Sequence, residues 1–423
     1  MDTNRFAEDI SYYKVVIRSY DGRETDVSDL VHSLQVYESV FLPTMSVKLL
    51  LNDRAQFINL FPLSGEEMVR VTFTSISNAQ KTELVFFLYR CDSIMIDPSF
   101  NNLSYALFGI SQEGLIDMQA PVTKSYNGQI SNAVADIYTT YLKTTKPVTI
   151  EATAGNVTLI IPKLSPFEAL EFLKRRAISG VSSASVFMSF ETAKGFSFKT
   201  LETLIKEGTT QAAQDRTYQY VYEHAILQDQ TRTLLSHSVI DFSQVKKYDT
   251  LEQSFTGYFH SEAIKFDMAE KSASTVNFNL SDKYPNWTVL AGTGGSNPNS
   301  IPHTNKFVQD FESTGFRKFA VIFDKYRDEV SIADNVGENA AYFSGLLQNE
   351  FEILITGNNR IVAGDVIKID VPALAATSTT ASDGKDKYLS GRFFVAEVTH
   401  NVISKTKFYT KLSCFKDSYS EAS

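Results

Sequence analysis

The sequence predicts an α+β fold that is mainly β. It comprises two similar antiparallel β-barrel or sandwich tube domains, an inserted helix-plus-hairpin domain and a loop-rich extension. Three observations carry this. The 423 residues include 31 Phe, 20 Tyr and 1 Trp, or 12% aromatics, and Phe and Tyr suit pleated, half-buried strands. Period-two alternation of apolar and polar residues marks both ends of the chain, and helical spacing marks the middle. The two ends also repeat one pattern in one order.

The first hundred residues read as strands. Tyr13, Val15 and Ile17 alternate with Lys14, Val16 and Arg18, and Asp21-Gly22 offers a turn. Val47, Leu49 and Leu51 run into Asn52-Asp53, and Val69, Val71 and Phe73 are set against Arg70, Thr72 and Thr74. Such alternation means a sheet with one dry and one wet side. Leu84 to Leu88 and Tyr105 to Phe108 extend it, which gives a first tube domain over 1–118.

From about residue 119 the period changes. Ile130, Val134, Ile137, Tyr138 and Tyr141 sit at helical spacing. A second helix has a marked start: Ser165 as N-cap, Pro166 at N1 and Glu168 at N3 form a capping box, and Gly180 is the expected stop. Val186 to Thr192, then Ala193-Lys194-Gly195, then Phe196 to Lys199 read as a hairpin, and 119–215 as an α+β domain.

Strand patterns resume at Tyr218 to Ile226, Glu252 to Asp267 and Thr275 to Leu280. Residues 216–284 with 346–423 are assigned to the second tube domain. The extension 285–345 holds a Gly/Ser/Asn loop, Gly292 to Ser300, and a helix near Glu338 to Leu347. A Thr/Ser/Ala-rich loop, Ala375 to Gly384, interrupts the last strands.

The repeat aligns Val47, Leu49 and Leu51 with Phe351, Ile353 and Ile355. It aligns Val69 to Phe73 with Ile367 to Val371, and Phe86-Phe-Leu88 with Phe393-Phe-Val395. The second copy has nine extra residues between its last two strands, about the length of the Ala375 to Gly384 loop, and insertions at loop tips cost little. A duplicated β-domain that cannot cover itself usually assembles with copies of itself.

Hydrophobic residues at 43% and charged residues at 21% exclude a mostly disordered chain. No apolar run approaches the roughly 20 residues that span a bilayer, so no membrane insertion is expected. The N-terminus shows no secretory leader pattern. Two cysteines, Cys91 and Cys414, make no disulfide framework. A net charge of −9 argues against tight wrapping of nucleic acid, which needs clustered basic charge.

The residues resemble the baseplate hub proteins of contractile-tailed bacteriophages, which are related to the hub part of type VI secretion spikes. The resemblance rests on Tyr13-Lys-Val-Val-Ile-Arg-Ser-Tyr-Asp-Gly-Arg-Glu-Thr-Asp-Val-Ser-Asp-Leu-Val31 and Gly65-Glu-Glu-Met-Val-Arg-Val71. In the middle it rests on the helix from Ser165 to Leu173 and the hairpin Phe187 to Leu204. At the end it rests on Gly364-Asp-Val-Ile-Lys-Ile369, Gly391 to His400, and Lys407 to Cys414. It covers most of the chain and is weakest from about 285 to 345.

The resemblance implies a homotrimeric, pseudo-sixfold ring that joins a sixfold tail tube to a threefold puncturing spike and lets DNA pass. The implied partners are a spike or tail-lysozyme-type protein below and tube or tube-initiator proteins above, with the tape measure protein as a further contact. The implied location is the virion baseplate, after assembly in the host bacterial cytoplasm. An acidic balance suits a lumen that must not hold phosphate. The wet strand faces at Arg70, Thr72, Lys368 and Asp370, with the sheet edges, are expected to face the lumen or a neighbouring subunit.

Catalytic chemistry is not expected, and no catalytic, cofactor or metal residue is assigned. The histidines (His32, His224, His237, His260, His303, His400) are scattered, with neither an HExxH nor a CxxC motif. Glu66, Glu67 and Asp365 read as solvated strand starts rather than a glycosidase pair. His400 reads as a strand-end surface or hydrogen-bonded residue, and Lys174-Arg175-Arg176 as a helix C-terminal turn. Cys91 and Cys414 fall at similar places in the repeats and read as core. Gly292-Thr-Gly-Gly-Ser lacks a P-loop ending, and no Gly-x-Ser-x-Gly elbow occurs.

Two alternatives stand beside the hub. A tail-associated cell-wall hydrolase or carbohydrate-binding module would use exposed tryptophans for sugar stacking, and only Trp287 is present. A type VI spike hub shares the fold but usually continues into a long β-helix, whereas this sequence stops at Ser423, so the phage hub is the expectation.

Overall fold

The alternation at Val69, Val71 and Phe73 becomes the wall of a barrel, with all three side chains fully buried. The computed structural model describes residues 9–61, 63–75, 80–96, 102–222, 237–293, 317–373, 385–386 and 388–418. Seven strands come first: β1 (Ile10–Arg18), β2 (Glu24–Asp26), β3 (Val31–Ser39), β4 (Ser46–Asp53), β5 (Met68–Ser75), β6 (Thr82–Ile96) and β7 (Leu103–Ile110). They pair antiparallel in the order β2-β1-β5-β6-β7-β4-β3.

The insert follows, with strands β8 (Val122–Gly128), β9 (Val148–Ile150), β10 (Val157–Leu164), β11 (Phe187–Thr192) and β12 (Gly195–Thr200). The helix Pro166–Lys174 starts as its sequence requires. Glu168 N donates to Ser165 Oγ at 3.4 Å, and Ser165 N donates back to the Glu168 carboxylate at 3.0 Å. It ends at Lys174, well short of Gly180. The Ile130 to Tyr141 segment is α-helical to Asp136 and then widens into a π-turn. The hairpin forms as read, with Thr192 opposite Gly195.

The helix Leu201–Gln214 then leads to β13 (Gln219–Tyr222) and β14 (Ser238–Lys246). Next come β15 (His260–Asp267), β16 (Ser272–Asn279), the two-residue strands β17 (Thr288–Val289) and β18 (Gly292–Thr293), and β19 (Arg317–Phe323). The chain closes with the helix Val336–Leu346 and strands β20 (Glu350–Thr356), β21 (Val366–Asp370), β22 (Gly391–Ile403) and β23 (Lys407–Phe415).

The second barrel closes as a ring, β21-β22-β23-β20-β14-β13 and back to β21. The repeat is therefore real in topology: β5-β6-β7-β4-β3 matches β21-β22-β23-β20-β14 strand for strand. Val69 lies opposite Phe86 and Ile367 opposite Phe393, the register the aligned patterns require. One feature departs from an antiparallel ring. β13 runs parallel to both neighbours, because the insert returns the chain through a helix and no hairpin sets its direction.

β22 is long enough to serve both barrels. Its last seven residues pair with β3, and the β22–β23 hairpin tip meets the start of β1, where Ile10 N donates to Thr406 O at 3.0 Å. Val402 and Phe408 of that hairpin lie inside the first barrel's core.

Two element readings change. Glu252 to Thr256 is not a strand but part of the helix Thr250–Thr256, capped by Asp249 and ended by Gly257 in the left-handed region. Residues 260–279 do not enter the second barrel: β16, β15 and β19 form a separate sheet. Ala375 to Gly384 lies outside the described residues, as do residues 294–300 of the Gly292 to Ser300 loop. No helix among the described residues is long and apolar enough to cross a membrane.

Candidate functional site

The best-defined polar site lies where both barrels and the insert meet, and it is built from carboxylates on strand positions that face the core. On β3 the buried phase runs Leu34, Val36, Glu38 and Val40, so the pleat itself carries Glu38 inward. Its oxygens accept the Ala193 amide of the insert at 3.0 Å and the Ala363 amide of the second barrel at 3.3 Å. Burial pushes the Glu38 carboxyl up to about 8, and the nearby Asp365 charge adds to the rise.

Asp365 completes the joint. It accepts the Val362 amide at 3.0 Å and the Lys194 ammonium at 3.2 Å through each oxygen. Burial raises its carboxyl and the Lys194 charge opposes the rise. A parallel tie runs beneath it: Lys146 donates to Glu113 and Glu191, each at 2.6 Å, and Glu191 also accepts the Met45 amide at 3.0 Å. Burial raises Glu191 against the Lys146 charge. Glu38, Glu113 and Glu191 thus join the first barrel to the insert, and Glu38 and Asp365 join the second barrel to its neighbours.

Glu67 and Asp365 are not the solvated strand starts the sequence suggests; only Glu66 is exposed. Gly65 and Gly364 both adopt positive φ, +93° and +91°, and the acidic residue that follows folds back onto the turn. Glu67 accepts the Ser64 and Gly65 amides at 2.7 and 2.9 Å. The cavity beside Asp365 holds 190 Å³, smaller than the several hundred Å³ of a ligand site, and neither Glu66 nor Glu67 lines it.

His400 is not at a strand end or surface. It sits within β22, 2% exposed, between the Phe73 and Phe408 rings with Nδ1 3.2 Å from Thr410 Oγ1. Burial lowers its imidazole to about 4. Trp287 is buried as well and donates Nε1–H to Glu338 at 2.9 Å. Cys414 is core, but Cys91 is exposed, and the two occupy different strands of the repeat, β6 and β23. Arg70 and Lys368 lie on the outward phase of β5 and β21, where Arg70 pairs with Glu83 at 3.5 Å and Asp370 with Lys385 at 2.9 Å.

Among the described residues no group of three His, Cys, Asp or Glu side chains could hold a metal ion. Glu38 escaped the sequence reading, as did the burial of His400, although a polar residue in the apolar phase of an alternating strand is the signal that finds both.

No family model matches the chain. It is 19% identical to a probable baseplate hub protein of Vibrio phage KVP40 over 96% of this chain and 94% of that one. Its fold matches a tail protein from Neisseria meningitidis MC58 at 10% identity and TM-score 0.55, covering 96% of this chain and 97% of that one. It also matches a 43 kDa tail protein of prophage MuSo2 from Shewanella oneidensis at the same identity and TM-score, covering 96% and 99%. Along nearly its whole length the chain is thus similar to a probable phage baseplate hub protein, and its fold is that of the two tail proteins.

Proposed function

We propose that the protein is a structural baseplate hub of a contractile phage tail, with three copies forming a pseudo-sixfold ring. The observation that carries this is the duplicated strand unit: two β-domains that share a five-strand order in one chain would give six such domains per trimer. Such a ring adapts a sixfold tube above to a threefold spike below, and its lumen passes DNA without binding it. Residues 1–118 and the second barrel would be the tube domains, and 119–215 the outer insert. The outward residues Arg70, Thr72, Lys368 and Asp370 would face the lumen or a neighbour.

In this reading the chain assembles in the host cytoplasm, joins the virion, contacts spike, tube and tape measure proteins, and catalyses nothing. Support comes from the full-length likeness to a probable hub protein and from buried carboxylates already committed to backbone amides. Light scattering of the purified chain tests it. Three chains of 47.3 kDa, about 142 kDa in all, is the expected mass, alone or with a spike protein added. A strict monomer under both conditions, or cell-wall cleavage lost on one carboxylate-to-amide change, would overturn it.

A further inference from the structure

A cleft of about 1110 Å³ separates the insert from the β15–β16–β19 sheet. Residues 157–159 of β10 and 320–323 of β19 line it consecutively. Side chains that alternate cannot all face one cleft, so each strand presents its backbone edge to it. Among the described residues β10 pairs only with β8, and β19 only with β15.

The two edges differ in protection. β10 carries Pro162, and Lys163 has positive φ at a register break, both devices that blunt an edge. β19 has neither. Its Phe319-Ala-Val-Ile-Phe323 run is uncharged, rich in strand formers and free of proline, and Ile322 is 72% exposed. Such an edge pairs with another chain unless it is covered.

The cleft also has an uncommitted cation. Lys174 and Arg175 pair with Glu171, and Arg327 with Asp328. Arg176 makes no ion pair among the described residues. It lies over the Phe172 ring at 3.8 Å and donates to Phe172 O. Partial desolvation lowers its guanidinium, the charges of Arg175 and Arg327 lower it further, and Asp328 opposes them. A group held beside two like charges gains most from an anion placed among them.

We propose that this cleft binds an extended, acidic segment of a partner protein, which adds a strand to β19 and sets its carboxylates against Arg175, Arg176 and Arg327. Main-chain bonds to the open edge give affinity, and alternate side chains give selectivity. Apolar residues of the segment meet Phe167, Phe172 and Ile322. A slot between two strand edges takes a single extended chain, not a folded surface.

The test uses the full chain and a ten-residue synthetic peptide alternating Glu and Val. Fluorescence anisotropy should show binding that weakens with salt and falls about tenfold or more in Arg175→Glu/Arg327→Glu, equivalent to about 1.4 kcal/mol or more. Ile322→Glu, at an exposed position, should weaken it without unfolding the protein. Hydrogen exchange should show the outer-edge amides of 319–323 fast in the free protein and slow with peptide. An equal footprint on β19 from a control peptide of the same length alternating Lys and Val would overturn the proposal. So would slow exchange of every 319–323 amide in the free protein, whether from its own chain or a second copy, the latter revealed by concentration dependence.

Discussion

Lys194 places its ammonium 3.2 Å from both carboxylate oxygens of Asp365 and so ties the insert's hairpin turn to the start of a strand in the second barrel. The pair stands beside Glu38, whose two oxygens take amides from the same two segments. Three domains thus share one polar joint. Removing one member leaves a buried polar group with one partner fewer, which costs more than the bond itself.

Glu38→Gln should therefore destabilise the protein by about 1–3 kcal/mol, because an amide offers one acceptor oxygen where two are used. Lys194→Met should cost a similar amount by stranding Asp365. Urea unfolding of each variant measures this. Their effects should be non-additive in the double variant, since the side chains share neighbours.

His400 sets a pH dependence whose sign follows from its lowered imidazole, about 4 against an ordinary 6.5. The folded state binds fewer protons than the unfolded chain between these values. Its contribution is present above pH 6.5 and is lost as pH falls through 4. Between pH 7.5 and 4.5 the wild type should lose about 2–3 kcal/mol more than His400→Phe. Parallel urea titrations at both pH values check the difference.

Phe408, near the C-terminus, is fully buried and meets Phe73 edge-on at 5.4 Å inside the first barrel. Phe408→Ala should cost about 3–5 kcal/mol. Hydrogen exchange should show the loss of protection in β1 and β5, at the opposite end of the sequence. Loss confined to β22 and β23 would refute this sharing of one hairpin by two barrels.

Trp287, buried against Phe278 and Tyr342, should emit at short wavelength, and its emission should not change with added cell-wall saccharide. A saccharide-induced shift would revive the carbohydrate-binding reading. Thiol labelling adds a second check. Cys91 should react in the native protein, and Cys414, whose thiol burial pushes far up, only after unfolding.

Local rules made much of the fold legible. The Ser165–Glu168 capping box, the hairpin turn at Ala193-Lys194 and the paired phases of Val69 with Phe86 and Ile367 with Phe393 follow from neighbours in sequence or a fixed period of two. Thr250–Thr256 was harder. Its Asp249 cap, its Gly257 stop and the i, i+4, i+7 spacing of Leu251, Phe255 and Tyr258 are all helix signals, but the strand pattern of residues 260–267 follows at once and invites extension back over them.

By itself, the sequence determined that this is a mainly β chain with a repeated strand unit and a helical insert, because periodicity and turn chemistry act over a few residues. Only the tertiary structure decided that β22 serves two barrels, that β15 and β16 leave the second barrel for β19, and that Glu38, Lys194 and Asp365 meet. Residues 155 and more positions apart come together only when strand pairing and core packing are satisfied across the whole chain. No local pattern encodes which strand edge finds which partner.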